Sequence, residues 1–169
     1  MAEVYTFFRD GYFGKARVYS GDWEEEDKSQ TLEYRVMMSY KTAKLYDEKD
    51  IYKRREPILW SNFTNLLKTK CIIKGYNTTF EMKKEGLFTN SWSFMDSLDE
   101  NKKYTWHVSK LLYHWELRDG QHLVIAEFDR AKWTIRRQGV LTIHQQVPPY
   151  LLSCILLTHK ILHESIRDD

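Results

Sequence analysis

The stretch Pro148-Pro149-Tyr150-Leu151-Leu152-Ser153-Cys154-Ile155-Leu156-Leu157-Thr158-His159-Lys160-Ile161-Leu162-His163-Glu164 decides the fold. Paired prolines give a fixed start to a helix, and at about 100° per residue its first two turns are apolar on nearly every side, with Ser153 the exception. A helix apolar all round has to be enclosed by protein. In its second half His159, Lys160, His163 and Glu164 gather into one polar arc beside Thr158, Ile161 and Leu162, so the expectation is a helix that emerges partly into water. The rest of the chain is short on helix signals and rich in strand signals. It reads as a β shell with this helix as its plug.

Composition sets the bounds. A chain of 169 residues suits one domain over 1–169 with a sizeable core, its helix placed near 149–165. Aromatic residues at 15% favour strands and argue against disorder, despite 30% charged residues. With 26 basic and 24 acidic side chains the net charge is +2, so no global field recommends a nucleic acid, and any basic site has to be local. Cys71 and Cys154 sit in apolar surroundings without metal-type spacing, which suits buried thiols in a reducing compartment, with a pairing between them left open. The start Met1-Ala2-Glu3-Val4-Tyr5 has no signal-peptide pattern, and the apolar run Leu151 to Leu157 is far short of the ~20 residues that span a bilayer. Cytoplasmic residence is the expectation.

Outward from the helix, strand signals follow one another back to the N-terminus. Val4 to Arg9 and Lys15 to Ser20 flank the turn pair Asp10-Gly11, and the acidic run Glu24-Glu25-Glu26-Asp27 reads as a solvated loop. Thr31 to Met38 alternates, with Leu32, Tyr34, Val36 and Met38 on one face. Lys41 to Ile51 is charged and carries no strand assignment. Cys71 to Lys74 and Thr78 to Met82 flank Gly75-Tyr76-Asn77, and Leu87-Phe88 and Trp92 to Met95 continue the meander. Tyr113 to Arg118 and Gln121 to Phe128 flank Asp119-Gly120; a two-residue turn there sets Trp115 opposite Val124 and puts Tyr113, Trp115, Leu117, Val124, Ala126 and Phe128 on one face. Lys132 to Arg137 and Val140 to His144, joined around Gln138-Gly139, make the last hairpin.

Tyr104-Thr105-Trp106, Trp115-Glu116-Leu117 with Asp119-Gly120, Val124-Ile125-Ala126, Gly139-Val140-Leu141-Thr142-Ile143 and the helix ending Leu157 to Arg167 resemble, in order and spacing, small fungal members of the tubby C-terminal-like superfamily, which also holds LURP-one-related proteins and phospholipid scramblases. The likeness covers roughly the last 65 residues. It implies a mostly β fold, a closed antiparallel β-barrel of about twelve strands enclosing the hydrophobic C-terminal helix. Because that superfamily includes phosphoinositide binders alongside proteins of other roles, it fixes no single function.

Function is thinly written in the residues. His159 and His163 lie one turn apart, as two zinc ligands would, but with no zincin glutamate beside them they read as a polar helix face, and no metal site is assigned. His114, Glu116 and His122 read as strand-surface polarity, since no Ser or Cys nucleophile accompanies them. Neither catalytic residues nor a cofactor is assigned. Basic side chains are the remaining candidates, namely Lys53, Arg54, Arg55, Arg130, Lys132, Arg136 and Arg137 for a lipid head group, with Lys68, Lys70, Lys83 and Lys84 as further clusters. The expectation is a non-enzymatic module that binds a protein partner or anionic phospholipid, with peripheral membrane contact and no nucleic acid. Two rivals stand beside it. Gly21-Asp22-Trp23 matches the Gly-x-Trp of lipocalin carriers, and near-neutral charge with many strands suits a self-associating structural protein. If the helix is enclosed, Leu152→Asp and Leu156→Asp each abolish cooperative thermal unfolding, because an apolar enclosure offers a carboxylate no partner, whereas Lys160→Asp on the polar arc is expected to be tolerated.

Overall fold

The computed structural model describes residues 1–11, 14–49, 52, 55–64, 69–86, 89–96, 98, 99, 101–132 and 134–167. Its strands are β1 (Glu3–Arg9), β2 (Ala16–Ser20), β3 (Leu32–Met38), β4 (Thr42–Asp47), β5 (Leu59–Phe63) and β6 (Lys70–Gly75). They continue as β7 (Thr78–Lys84), β8 (Ser91–Met95), β9 (Lys103–Val108), β10 (His114–Arg118), β11 (Val124–Arg130) and β12 (Arg137–Ile143), followed by helix α1 (Pro149–Arg167). The twelve strands follow one another around a closed antiparallel barrel, and β1 seals it against β12 with Glu3 opposite Ile143. Closure leaves no sheet edge to pair with another chain. Since each strand reverses its predecessor, the connections alternate between two ends. The helix starts at one end, here the mouth, with connections 21–31, 48–58, 76–77, 96–102, 119–123 and 144–148. The far end carries 10–15, 39–41, 64–69, 85–90, 109–113 and 131–136.

Local chemistry explains several joints and corrects several expectations. Tyr76 and Asn77 both take positive φ, 49° and 57°, and close a two-residue hairpin between Gly75 and Thr78. Asp119-Gly120 does not close a tight turn. The Asp119 carboxylate accepts the N–H groups of Gln121 and Leu123, which holds a five-residue connection, 119–123, and sets Trp115 opposite Phe128 rather than Val124. The slip is even, so Trp115, Leu117, Ala126 and Phe128 still face inward, but Tyr113 is exposed and Val124 only half-buried. Gln138-Gly139 is not a turn either. It lies inside β12, at an irregularity where Phe7 pairs with Gly139 and Phe8 with Arg137. Gly139 has φ 154°, and a Cβ there would sit 2.4 Å from the Phe128 ring and 2.3 Å from the Asp129 carbonyl, so only glycine lets Phe128 lie over this strand. Unassigned from sequence, β4 alternates Ala43 and Leu45 inward against Lys44 outward.

The acidic run is a loop with Glu24, Glu25 and Asp27 exposed, and it is anchored at its start and at Glu26. Trp23 N–H donates to Thr6 Oγ1, whose hydroxyl donates to the Gly21 carbonyl, so the chain folds back over the outer face of β1 and buries Thr6. Glu26 takes hydrogen bonds from Arg17 and Tyr19 at 3.0 and 2.6 Å. This strap covers outward-facing Phe8, which packs on Tyr19.

Helix α1 fills the lumen, with Leu151, Leu152, Ile155 and Leu156 all buried although they point in different directions. Its polar atoms meet partners from the wall. Tyr76 and Ser153 share a 3.0 Å hydrogen bond, Tyr150 donates to Asp96, and Trp106 Nε1–H donates to Thr158 Oγ1, which donates to the Cys154 carbonyl. Both cysteines are free and buried, and burial pushes each thiol up to about 12.

The polar arc does not emerge into water. His159 and Lys160 have no exposed surface, and His163 is nearly as buried. The bulge at Gln138 turns its side chain inward, where Oε1 accepts a 3.0 Å hydrogen bond from Lys160 Nζ, and Glu164 accepts another at 2.5 Å. Burial works to raise the Glu164 carboxyl, yet His163 and Lys160 together hold it well below the usual carboxylate range. His159 lies in a box of Phe7, Trp106, Trp115 and Phe128, with its ring 4.0 Å from Phe128 and neither nitrogen hydrogen-bonded among the described residues. Burial lowers the pKa of both histidines, His163 to about 4.

The expected tolerance of Lys160→Asp is therefore replaced. That variant sets two carboxylates together in the core, and its purified yield as a folded monomer should collapse, while Lys160→Met keeps the volume but strands Glu164 and should cost roughly 3 to 5 kcal/mol in denaturant titration. The histidines make stability depend on pH. They are neutral when folded but protonate near 6.5 when unfolded, so the unfolded chain takes up more protons as pH falls from about 6.5 towards 4, and stability is lost over that window at up to ~1.4 kcal/mol per pH unit for each. Melts of His159→Phe across this range should show a shallower decline and no loss of stability at pH 8, because the ring it replaces makes no hydrogen bond.

Candidate functional site

The structure separates the sequence candidates. Lys53, Arg54 and Lys68 lie outside the described residues. Arg55 is exposed in the β4–β5 connection at the mouth, whereas Arg130, Lys132, Arg136 and Arg137 lie in or beside the β11–β12 connection at the far end. These two groups belong to opposite ends of the barrel and do not form one site. Lys70 is paired with Glu81 at 2.6 Å on the barrel wall. Arg137 is held by Asp22 and Glu24 of the strap at 2.7 and 3.2 Å with its side chain only 15% exposed, so its charge is offset in place.

At the far end the β1–β2 and β11–β12 connections meet. Arg9 N–H donates to the Arg136 carbonyl at 2.7 Å, and a cleft of about 370 Å³ opens between them, lined by Arg9, Gly11, Arg17, Glu26, Ile135 and Arg136. Its guanidinium groups come from a strand end, a strand start and a loop. Arg17 is taken by Glu26, while Arg9 and Arg136 form no ion pair among the described residues. The Nε–H groups of Arg9 and Arg17 are buried without an acceptor among those residues. A buried donor left unpaired is costly, and two of them on one basic cleft suit an anion such as phosphate.

Apolar side chains stand beside this cleft. Ile135 is 84% exposed and Leu111, in the β9–β10 connection, 78%. The two connections are tied together, since Arg130 N–H donates to the Tyr113 carbonyl and Lys132 Nζ lies 4.9 Å from the Tyr113 ring centre. Lys110 precedes Leu111 and Arg136 follows Ile135 along the chain, and all four are exposed. The mouth connections carry Glu48, Glu56, Asp96, Asp99 and Asp119 beside Lys49, Arg55 and Lys102, while the strap acids Asp22, Glu24 and Glu26 reach the far-end Arg137 and Arg17. Sequence reading found Lys132 and Arg136 but missed Arg9 and Arg17, which lie more than a hundred residues away along the chain. Only the β1–β12 closure brings them together.

A second concavity of about 510 Å³ lies on the barrel side, where β7 and β8 pair only from Met82 to Lys84 and diverge beyond. Phe80 and Phe94 line it, their rings 5.7 Å apart. Its charges are largely self-compensated, because Lys103 pairs with Glu85 at 2.8 Å and Glu81 with Lys70. The lipocalin-like reading loses its cavity, since α1 occupies the interior that a carried ligand would need. No helix among the described residues is long and apolar enough to cross a membrane.

The chain is similar in fold to a protein from Arabidopsis thaliana of known crystal structure, with a TM-score of 0.61 over 98% of this chain and 91% of that chain at 9% identity. At that identity the likeness is one of fold alone. No protein-family model and no curated protein matches the sequence.

Proposed function

We propose that the protein is a non-catalytic module that docks its far end onto anionic phospholipid surfaces. The observation that carries this reading is the pairing of the Arg9, Arg17 and Arg136 cleft, with its two unpaired guanidinium N–H groups, and the protruding side chains of Ile135 and Leu111 on the same end. Basic side chains near an anionic surface contribute about 1 kcal/mol each, and apolar loop tips add burial at the head-group boundary. Arg137 takes no part, because Asp22 and Glu24 hold it.

Vesicle pelleting tests this. The protein should sediment with vesicles containing phosphatidylserine or a phosphoinositide, lose that binding as salt rises, and ignore phosphatidylcholine vesicles. Arg9→Gln with Arg136→Gln should weaken binding roughly 30-fold at low salt, and Ile135→Asp should weaken it without changing the melting temperature. Equal sedimentation of the double variant and parent would overturn the assignment of this end.

A further inference from the structure

On the outer face of β10 and β11 the strand pleat gathers a different set of side chains. His114 and Glu116 alternate outward on β10, and Glu127 and Asp129 outward on β11. The ladder sets His114 directly opposite Asp129 and Glu116 directly opposite Glu127. Two carboxylates facing each other across a strand pair repel, and Arg118 offsets Glu116 from one side. His122, grouped with these residues in sequence, lies in the 119–123 connection at the mouth.

The imidazole is aimed. His114 Nδ1 lies 2.8 Å from Asp129 Oδ1, and a carboxylate only accepts, so Nδ1 is the donor. Nε2 then faces Glu116 Oε1 at 3.5 Å and Glu127 Oε1 at 3.6 Å. These separations exceed the roughly 2.7 to 3.2 Å of a good N–H···O bond. They are close to the edge of about 3.4 Å that a tetrahedral ion with ligand distances near 2.1 Å sets between neighbouring ligands. The three ligand atoms lie within 4.8 Å of one another. Outer contacts hold the carboxylates, since Arg118 Nε donates to Glu116 Oε2 at 2.9 Å and His144 Nε2 lies 2.5 Å from Glu127 Oε2, leaving each Oε1 turned towards His114.

We infer that His114 Nε2, Glu116 Oε1 and Glu127 Oε1 form a surface site for a divalent ion of the zinc type. One imidazole with two carboxylates suits zinc or cobalt better than magnesium or calcium, which favour all-oxygen shells. Three protein ligands leave a fourth position for water. Asp129 acts as the positioning residue through the His114 Nδ1 bond. All three ligands are half-buried on adjacent paired strands, so the ion binds with little rearrangement of the backbone.

Calorimetric titration of the chelator-treated full chain with zinc chloride at pH 7 tests the site, with cobalt(II) absorption as a second readout. One ion per chain should bind, cobalt should give the intense visible bands of a four-coordinate site, and magnesium should neither bind nor compete. His114→Ala and Glu127→Gln should each weaken zinc at least tenfold, Asp129→Asn by about tenfold, and His122→Ala not at all. Circular dichroism of the metal-free variants checks that these surface changes leave the barrel folded. No zinc heat up to millimolar concentration, or zinc binding that survives His114→Ala and Glu127→Gln in the folded chain, would overturn the inference.

Discussion

A closed ring of twelve strands encloses a lumen that something has to fill, and in this protein the chain's own last helix fills it. That single requirement accounts for features that otherwise look unrelated. It explains why α1 is apolar on all sides in its first half, and why Trp106, Trp115, Phe7 and Phe128 point inward around it. It also explains why the wall supplies hydrogen-bonding partners along the helix, from Tyr76 and Asp96 near the mouth to Gln138 towards the far end, with His159 an exception among the described residues. At the centre of such a core β12 breaks its alternation, and Gln138 turns inward to meet Lys160. Without the Gln138 bulge, Lys160 would lose the Gln138 Oε1 acceptor.

The architecture was legible because the helix and the strands carry different periods. An all-round apolar helix after a long series of alternating runs has few other solutions, and the aromatic positions of β10 and β11 fell on the correct face even with the wrong register. The failures share one physical cause, that side chains decided what dipeptides suggested. Asp119-Gly120 has the composition of a tight turn, yet the Asp119 carboxylate organises a longer one. Gln138-Gly139 also looks like a turn, and its glycine instead makes room for Phe128. The polar arc of α1 was read as solvated because a helical wheel shows which residues share a face and not what that face meets. Sites were less legible than the fold. The far-end cleft depends on a contact between chain segments separated by nearly the whole sequence, and the His114 group depends on a cross-strand pairing whose register the turn concealed.

The molecule thus divides its labour by position. Its interior is committed to holding the helix, so a ligand site would have to lie on the outside. The strap from Asp22 to Glu26 contributes to that division. It covers Phe8 and Thr6, and its acids engage Arg17 and Arg137, which leaves Arg9, Arg130 and Arg136 as far-end guanidinium groups outside its ion pairs.

Native-state hydrogen exchange tests most directly whether the helix is the core of the barrel. If it is, the amides of Ile155, Leu156, Leu157 and Ile161 exchange only through global unfolding, with the same free energy and the same denaturant dependence as the inward-facing strand residues Phe7, Trp115 and Leu141. Helix amides that exchange orders of magnitude faster than those of the strands, while the strands remain protected, would contradict this account and make α1 a removable appendage of a barrel that stands without it.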